Sequence, residues 1–109
     1  MNLNGKRVAV TGGFGALGIA TVNVLQAHGA RVAAIDRAAA PPAAVSLGTA
    51  TTFGGVDIGD VAAAKATLAK VAGALGGLDA LVNIAGTFRW EKGADGGLDT
   101  WDFLYNVNL

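Results

Sequence analysis

From Val8 to Ala30 the chain carries no Asp, Glu, Lys or Arg, and inside that run an apolar, β-branched segment meets a cluster of glycines and then a helix-like pattern. Lys6 and Arg7 stand in front of it, as positive charges do before a signal peptide or a membrane span. Gly12, Gly13, Gly15, Gly18 and Gly29 interrupt the run, however, and Thr21, Asn23 and Gln26 make it too polar for an uninterrupted apolar segment. What it fits is a strand buried on both faces, then a turn, then a helix. Gly13, Gly15 and Gly18 satisfy the G-x-G-x-x-G spacing, where glycine permits a tight turn, close backbone approach to a pyrophosphate, and close packing of helix on strand. The helix that follows aims its unpaired N–H groups and the positive end of its dipole at the anion, so no lysine is needed. Asp36 follows Gly18 at close to the roughly 20-residue spacing of a carboxylate that hydrogen-bonds an adenosine ribose.

Beyond this stretch, strands alternate with helices. Residues 7–11 read as the first strand and 16–28 as the first helix, with Gly29 in the left-handed cap position that costs glycine little and His28 in a capping rather than a catalytic role. Residues 31–36 form a second strand. The segment 38–44 holds Pro41 and Pro42, which stop a helix and make it a connecting excursion. A third strand is predicted over 49–56, then a turn over 57–60 into a second helix capped by Asp60. In that helix Val61, Ala64, Leu68, Val71 and Leu75 recur at spacings of three and four, one apolar stripe for a sheet, with Lys65 and Lys70 off it. Gly76 and Gly77 end the helix, and 79–84 make a fourth strand. A loop over 85–97 and a last helix capped by Asp99, holding Trp101, Leu104, Tyr105 and Asn108, complete the pattern. Such alternation predicts an α/β fold with a parallel sheet built by right-handed crossovers, in the strand order 3-2-1-4.

The 109 residues suffice for one small domain but not for both halves of a dinucleotide fold. Lys and Arg together number 8, as do Asp and Glu, and no basic patch speaks for a nucleic-acid partner. With 52% hydrophobic and only 15% charged residues, such a chain is expected to associate or be buried. The absence of cysteine excludes disulfides, thiolate catalysis and cysteine-ligated metal. Glu91, Asp95, Asp99 and Asp102 have no ligand spacing, so no metal is expected. With no membrane span or leader, the cytoplasm is the expected location.

Taken together, these segments resemble the short-chain dehydrogenase/reductase family, over essentially the whole chain but only the amino-terminal part of the family's domain. Thr11-Gly-Gly-Phe-Gly-Ala-Leu-Gly18 resembles its cofactor loop, Asp36 its ribose-binding acid, Asp57-Ile58 its adenine-side pair, Asn83-Ile-Ala-Gly86 its Asn-Asn-Ala-Gly signature, and Asn108 the asparagine of its catalytic tetrad. The resemblance implies a Rossmann-type doubly wound sheet, truncated before the remaining strands, so that an apolar edge beyond the fourth strand is exposed. It implies NAD(P)-dependent hydride transfer between nicotinamide and a small carbonyl or alcohol substrate. The implied cofactor contacts come from Thr11, Gly12, Gly13, Phe14, Gly15, Ala16, Leu17 and Gly18, from Asp36 and Arg37, from Asp57 and Ile58, and from Asn83, Ala85 and Gly86. Asn108 is the implied catalytic residue, and the helix near Asp99 implies a homo-oligomer.

Departures from the family's patterns keep other readings open. Classical members carry Thr-Gly-x-x-x-Gly-x-Gly, which puts glycine where this chain has Ala16, whereas Thr11, Gly12, Gly15 and Gly18 fit the Thr-Gly-x-x-Gly-x-x-Gly of extended members acting on nucleotide sugars. The Asn83-Ile-Ala-Gly86 segment favours the classical type, with Ile84 replacing its second asparagine. Asp36 favours NAD, because a carboxylate accepts from the ribose 2′-OH and repels a 2′-phosphate. The neighbouring Arg37 is either a solvated charge or a partner for that phosphate, so NADP stays open. Trp90 and Arg89 either shape a substrate pocket or anchor a loop. Tyr105 is the sole tyrosine, and Leu109 occupies the place of the lysine in the family's Tyr-x-x-x-Lys. The 109 residues alone are therefore predicted to be inactive, and a non-catalytic nucleotide-binding or regulatory module is the alternative function.

Overall fold

The computed structural model describes residues 2–84; the expectations for Ala85, Gly86, the loop and the last helix with Asn108 lie outside the described residues. In chain order the elements are β1 (Arg7–Thr11), α1 (Ala16–Ala27), β2 (Arg31–Ile35), β3 (Thr51–Phe53), α2 (Val61–Leu75) and β4 (Ala80–Asn83). The strands form one parallel sheet in the expected order β3-β2-β1-β4.

The apolar run over β1 is explained by its position. Val8 and Val10 point into a core layer with Val22 of α1 and Val32 and Ala34 of β2, while Ala9 points into the opposite layer with Ala33, Ile35, Val71 and Leu75. Alternate side chains of one strand thus serve two cores, which leaves no solvated face for a polar residue. Leu47, just after the proline-containing excursion, closes the α1 layer, and Gln26 of α1 holds it there, donating to the Leu47 carbonyl at 2.8 Å.

The helix ends follow local chemistry. Helix α1 stops at Ala27, one residue short of the expected end, with His28 as cap and Gly29 left-handed at φ +94°. The N–H of Gly29 reaches Gln26 O and that of Ala30 reaches Leu25 O, satisfying the last carbonyls. At the start of α2, Asp60 accepts from Ala63 N–H at 3.1 Å, as expected of an N-cap. The buried row of α2 is Thr67, Val71 and Leu75; Ala64 and Leu68 are half-buried and Val61 is exposed. Val61 lies about 120° around the helix from Thr67 at 3.6 residues per turn, so a row at spacing four turns away from it.

The expected third strand, 49–56, shrinks to three residues because its ends have other partners. Ala50 N–H turns back to Leu47 O, and Gly55 N–H is taken by Ala38 O. A Cβ at Gly54 would run into the Ala39 carbonyl, so the chain passes close over the segment following β2. Strands β2 and β4 are shorter than predicted by a residue at their ends, where Asp36 and Asp79 make side-chain contacts of their own. Among the described residues β4 is the sheet edge opposite β3, and Leu81 stands exposed on it, as anticipated.

Sequence reasoning did not find what fixes α2. Arg7 and Arg31, register partners at the starts of β1 and β2, both reach the carboxyl end of α2: Arg7 donates to Gly76 O at 2.7 Å and Arg31 to Leu75 O at 2.8 Å. Cations at a helix C-terminus complement its dipole. Arg7 also grips Asp79 through both carboxylate oxygens, at 2.9 and 3.0 Å, while its own backbone N–H donates to Asp79 at 2.8 Å. The Arg7 side-chain hydrogen bond, followed by that backbone bond, holds the Asp79 carboxyl well below its ordinary value of 3.8. Because the folded state favours the ionised form, the contribution is complete above that ordinary value and is lost as pH falls towards the depressed folded value. Thermal melts of the wild type and Asp79→Asn are expected to differ most at neutral pH and to draw together progressively as pH falls below about 4; a gap independent of pH would contradict this.

Candidate nucleotide-binding site

The register aligns Thr11, Ile35 and Asn83 at the carboxyl ends of β1, β2 and β4. Strand order reverses at β1, whose neighbours continue to opposite sides, and such a switch point leaves a crevice at the strand ends. Thr11 is buried there and donates from Oγ1 to Asn83 Oδ1 at 3.1 Å, joining the two walls. Ile84 N–H continues the pairing by donating to Thr11 O.

Three glycines of the loop are required by the fold, in roles partly different from those expected. The left-handed residue of the turn is Gly12, at φ +69°, rather than Gly13. Gly13 instead lies flat on β2: a Cβ there would come within 2.7 Å of Ala34 Cβ, and its N–H donates to Ile35 O at 3.0 Å. Gly18 brings the first turn of α1 against the loop, where a Cβ would collide with the Gly12 carbonyl. The strand end did signal the turn, since Gly12 immediately follows Thr11, but G-x-G-x-x-G counting passes over it.

Gly15 differs from these three. It is exposed, has extended backbone at φ −83° and ψ 170°, and a Cβ there would meet only Gly12 O, at 3.7 Å. As N-cap of α1 it lacks a side chain to satisfy the first N–H groups, and intrahelical bonding begins with Ile19 N–H to Gly15 O at 2.8 Å. Ala16 and Leu17 are exposed, and their N–H groups have no partner among the described residues. Unpaired donors at a helix start, with open space above the N-cap, form an anion cradle. The residues present thus fit a pyrophosphate. Ala16 opens α1 with its side chain exposed to solvent.

Asp36 stands at the loop's side. Its Oδ2 accepts from Phe14 N–H and its Oδ1 from Ala38 N–H, each at 3.0 Å. A carboxylate has about four acceptor positions, which leaves two for a ribose diol. Arg37 is exposed and makes no hydrogen bond or ion pair among the described residues. Asp57 is exposed on the turn before α2, with Oδ1 accepting from Gly59 N–H, and Ile58 packs under it against the α2 layer. Phe14 is buried against the α1 layer, so it contributes its backbone to the loop and its ring to the core.

This arrangement has many counterparts. The short chain dehydrogenase family profile matches residues 6–109, and the chain belongs to that family. It is 32% identical to the D-threitol dehydrogenase of Mycolicibacterium smegmatis, covering 98% of this chain and 43% of that protein. It is 31% identical to the galactitol 2-dehydrogenase of Agrobacterium fabrum, covering 100% and 43% respectively. Among solved structures, a short chain dehydrogenase from Burkholderia cenocepacia in complex with NADP superposes with a TM-score of 0.77 at 38% identity, over 98% of this chain and 46% of that one. A 3-ketoacyl-(acyl-carrier-protein) reductase from Brucella melitensis complexed with NADH gives 0.78 at 25% identity, over 97% and 45%. The chain spans less than half the length of these relatives.

Two substitutions separate the glycines required by the fold from the one that is not. Gly18→Ala is expected to lower both the melting temperature and ADP affinity, because backbone must move to admit the methyl group. Gly15→Ala is expected to leave the melting temperature nearly unchanged, the poorer N-cap offsetting the stiffer unfolded chain, while ADP affinity falls. Calorimetric titration beside thermal melts checks both, and a Gly15→Ala variant that binds ADP as well as wild type would remove the cradle from over the N-cap.

Proposed function

We propose that this chain is the cofactor-binding, amino-terminal part of a single NAD(P)-binding domain in an oxidoreductase that passes hydride between nicotinamide and a small carbonyl or alcohol substrate. What supports the reading most directly is the conjunction of unpaired N–H groups at the start of α1 with Asp36 beside the same loop, at the switch point of the sheet. Pyrophosphate would lie over Gly15, Ala16 and Leu17, and the adenosine ribose against Asp36. Asp57 and Ile58 would take the adenine side, and Thr11 and Asn83 the floor of the crevice; Ala85 and Gly86 complete the proposed contact residues. The nicotinamide supplies the hydride chemistry when bound.

NAD is the preferred cofactor in this proposal, since the Asp36 carboxylate meets the ribose 2′ position with negative charge. Among the described residues Arg37 has no hydrogen bond or ion pair that would hold it against that position. Asn108 would support a proton relay, and the segment near Asp99 would form an interface in a homo-oligomer, in the cytoplasm. Among the described residues no helix is long and apolar enough to cross a membrane. The dehydrogenase relatives favour this reading over a regulatory module or an enzyme of nucleotide sugars.

A general base is the component these residues do not supply. An unperturbed tyrosine, pKa ~10, is a poor base at neutral pH without a nearby lysine, and the sole tyrosine, Tyr105, has Leu109 four positions on. The 109 residues are therefore expected to bind ADP and NAD and to transfer no hydride. Titration with ADP, NAD and NADP, beside a spectrophotometric assay of carbonyl reduction, tests both statements. Tighter binding of NADP than NAD would overturn the cofactor assignment, and reduction by these residues alone would overturn the assignment of the catalytic base elsewhere. Sequencing past Leu109 for a serine and a Tyr-x-x-x-Lys tests the enzyme reading itself.

A further inference from the structure

Asp36 uses all four of its polar groups on the protein. Its N–H donates to Phe53 O and its carbonyl accepts from Val56 N–H, both at 3.0 Å, binding it to the two ends of the turn after β3. Its carboxylate accepts from Phe14 N–H of the glycine loop and from Ala38 N–H of its own strand's continuation. The side chain is therefore fixed before any ligand arrives, and one of the groups fixing it is the peptide between Gly13 and Phe14.

That peptide matters because the loop has little else to hold it. Between Gly12 and α1 its other inward bonds are Gly13 N–H to Ile35 O, at 3.0 Å, and Gly15 N–H to Gly12 O, at 3.3 Å, within the turn itself. Glycine-rich backbone loses more conformational freedom on ordering than any other. A hydrogen bond to a charged acceptor is stronger than one between neutral groups, so the Asp36 contact is the stronger of the loop's two ties to β2 and its continuation.

Resting on the nucleotide reading above, we propose that Asp36 is a positioning residue for the glycine loop as well as a ribose acceptor, so that it governs affinity for the pyrophosphate even in a ligand with no ribose hydroxyls. The tie couples the two subsites: the same carboxylate that meets the diol holds the N-cap region in the shape that receives the anion.

The test compares ADP with 2′,3′-dideoxy-ADP, on the intact protein and on Asp36→Asn, which preserves shape but replaces one acceptor by a donor. If Asp36 only faced the ribose, the substitution would leave dideoxy-ADP affinity unchanged or raise it, because a negative charge beside a phosphate site has gone. If Asp36 holds the loop, dideoxy-ADP binds the variant about tenfold or more weakly than wild type. Equal or tighter binding overturns the proposal. Hydrogen exchange without ligand gives a second readout: the Phe14 amide should lose protection in Asp36→Asn while that of Val10, in the buried centre of β1, keeps it. Unchanged Phe14 protection overturns the proposal, whereas a wild type that binds neither nucleotide overturns the nucleotide reading and the proposal with it.

Discussion

Strand β1 is the constraint on which the other elements depend. It pairs with β2 on one side and β4 on the other, at the point where the strand order reverses, and like β2 it gives alternate side chains to both helical layers. Burial of this kind requires small or β-branched apolar side chains throughout, and Val8, Ala9 and Val10 satisfy it with almost no exposed surface. On the α2 side the buried sheet residues are Ala9, Ala33 and Ile35, and the small size of the two alanines leaves room for Val71 and Leu75 against the sheet. Because the strands are parallel and in register, everything after Thr11, Ile35 and Asn83 emerges on one rim. The loop, Asp36 and Asn83 are neighbours for that reason and not through any sequence proximity.

The two rims of the sheet have separate tasks. At the amino ends of the strands, Arg7 and Arg31 hold the last carbonyls of α2 and Arg7 holds Asp79, so the polar contacts there are structural and self-contained. At the carboxyl ends the groups are left partly unsatisfied: unpaired N–H donors on α1 and spare acceptor positions on Asp36. Unpaired donors are tolerable at that rim because they are exposed to water, and they are available to a ligand for the same reason. Stability and binding can thus be altered at different residues of one small sheet.

Sequence alone reads this fold where the cause is local. Periodicity found α2, cap chemistry found Asp60 and the glycine after α1, the charge-free run found β1 and the start of α1, and the alternation of strands with helices predicted the parallel sheet and its order. It reads less well where the cause is a tertiary neighbour. Strand β3 is short because Gly55 bonds to Ala38 rather than to β2, and Val61 is exposed because the buried row runs through Thr67. Neither partner is visible from composition. The Arg7 and Arg31 contacts were missed for a related reason: a charged residue at a strand start reads as solvated unless the distant helix end it reaches is known.

The glycine loop shows the same division within eight residues. Glycine spacing marked the turn between β1 and α1, yet it could not say which glycine answers to which demand. Gly12, Gly13 and Gly18 are each accounted for inside the chain, by a left-handed turn, by contact with Ala34 and by contact with the Gly12 carbonyl. A larger residue at any of them disturbs the fold first and binding second. Gly15 has an ordinary backbone conformation and ordinary room around it, so nothing within the chain requires glycine there. It is the N-cap of α1, next to the unpaired N–H groups of Ala16 and Leu17. Under the proposed nucleotide site the demand it meets would come from outside the chain, which makes it, of the four glycines, the one that bears on a ligand.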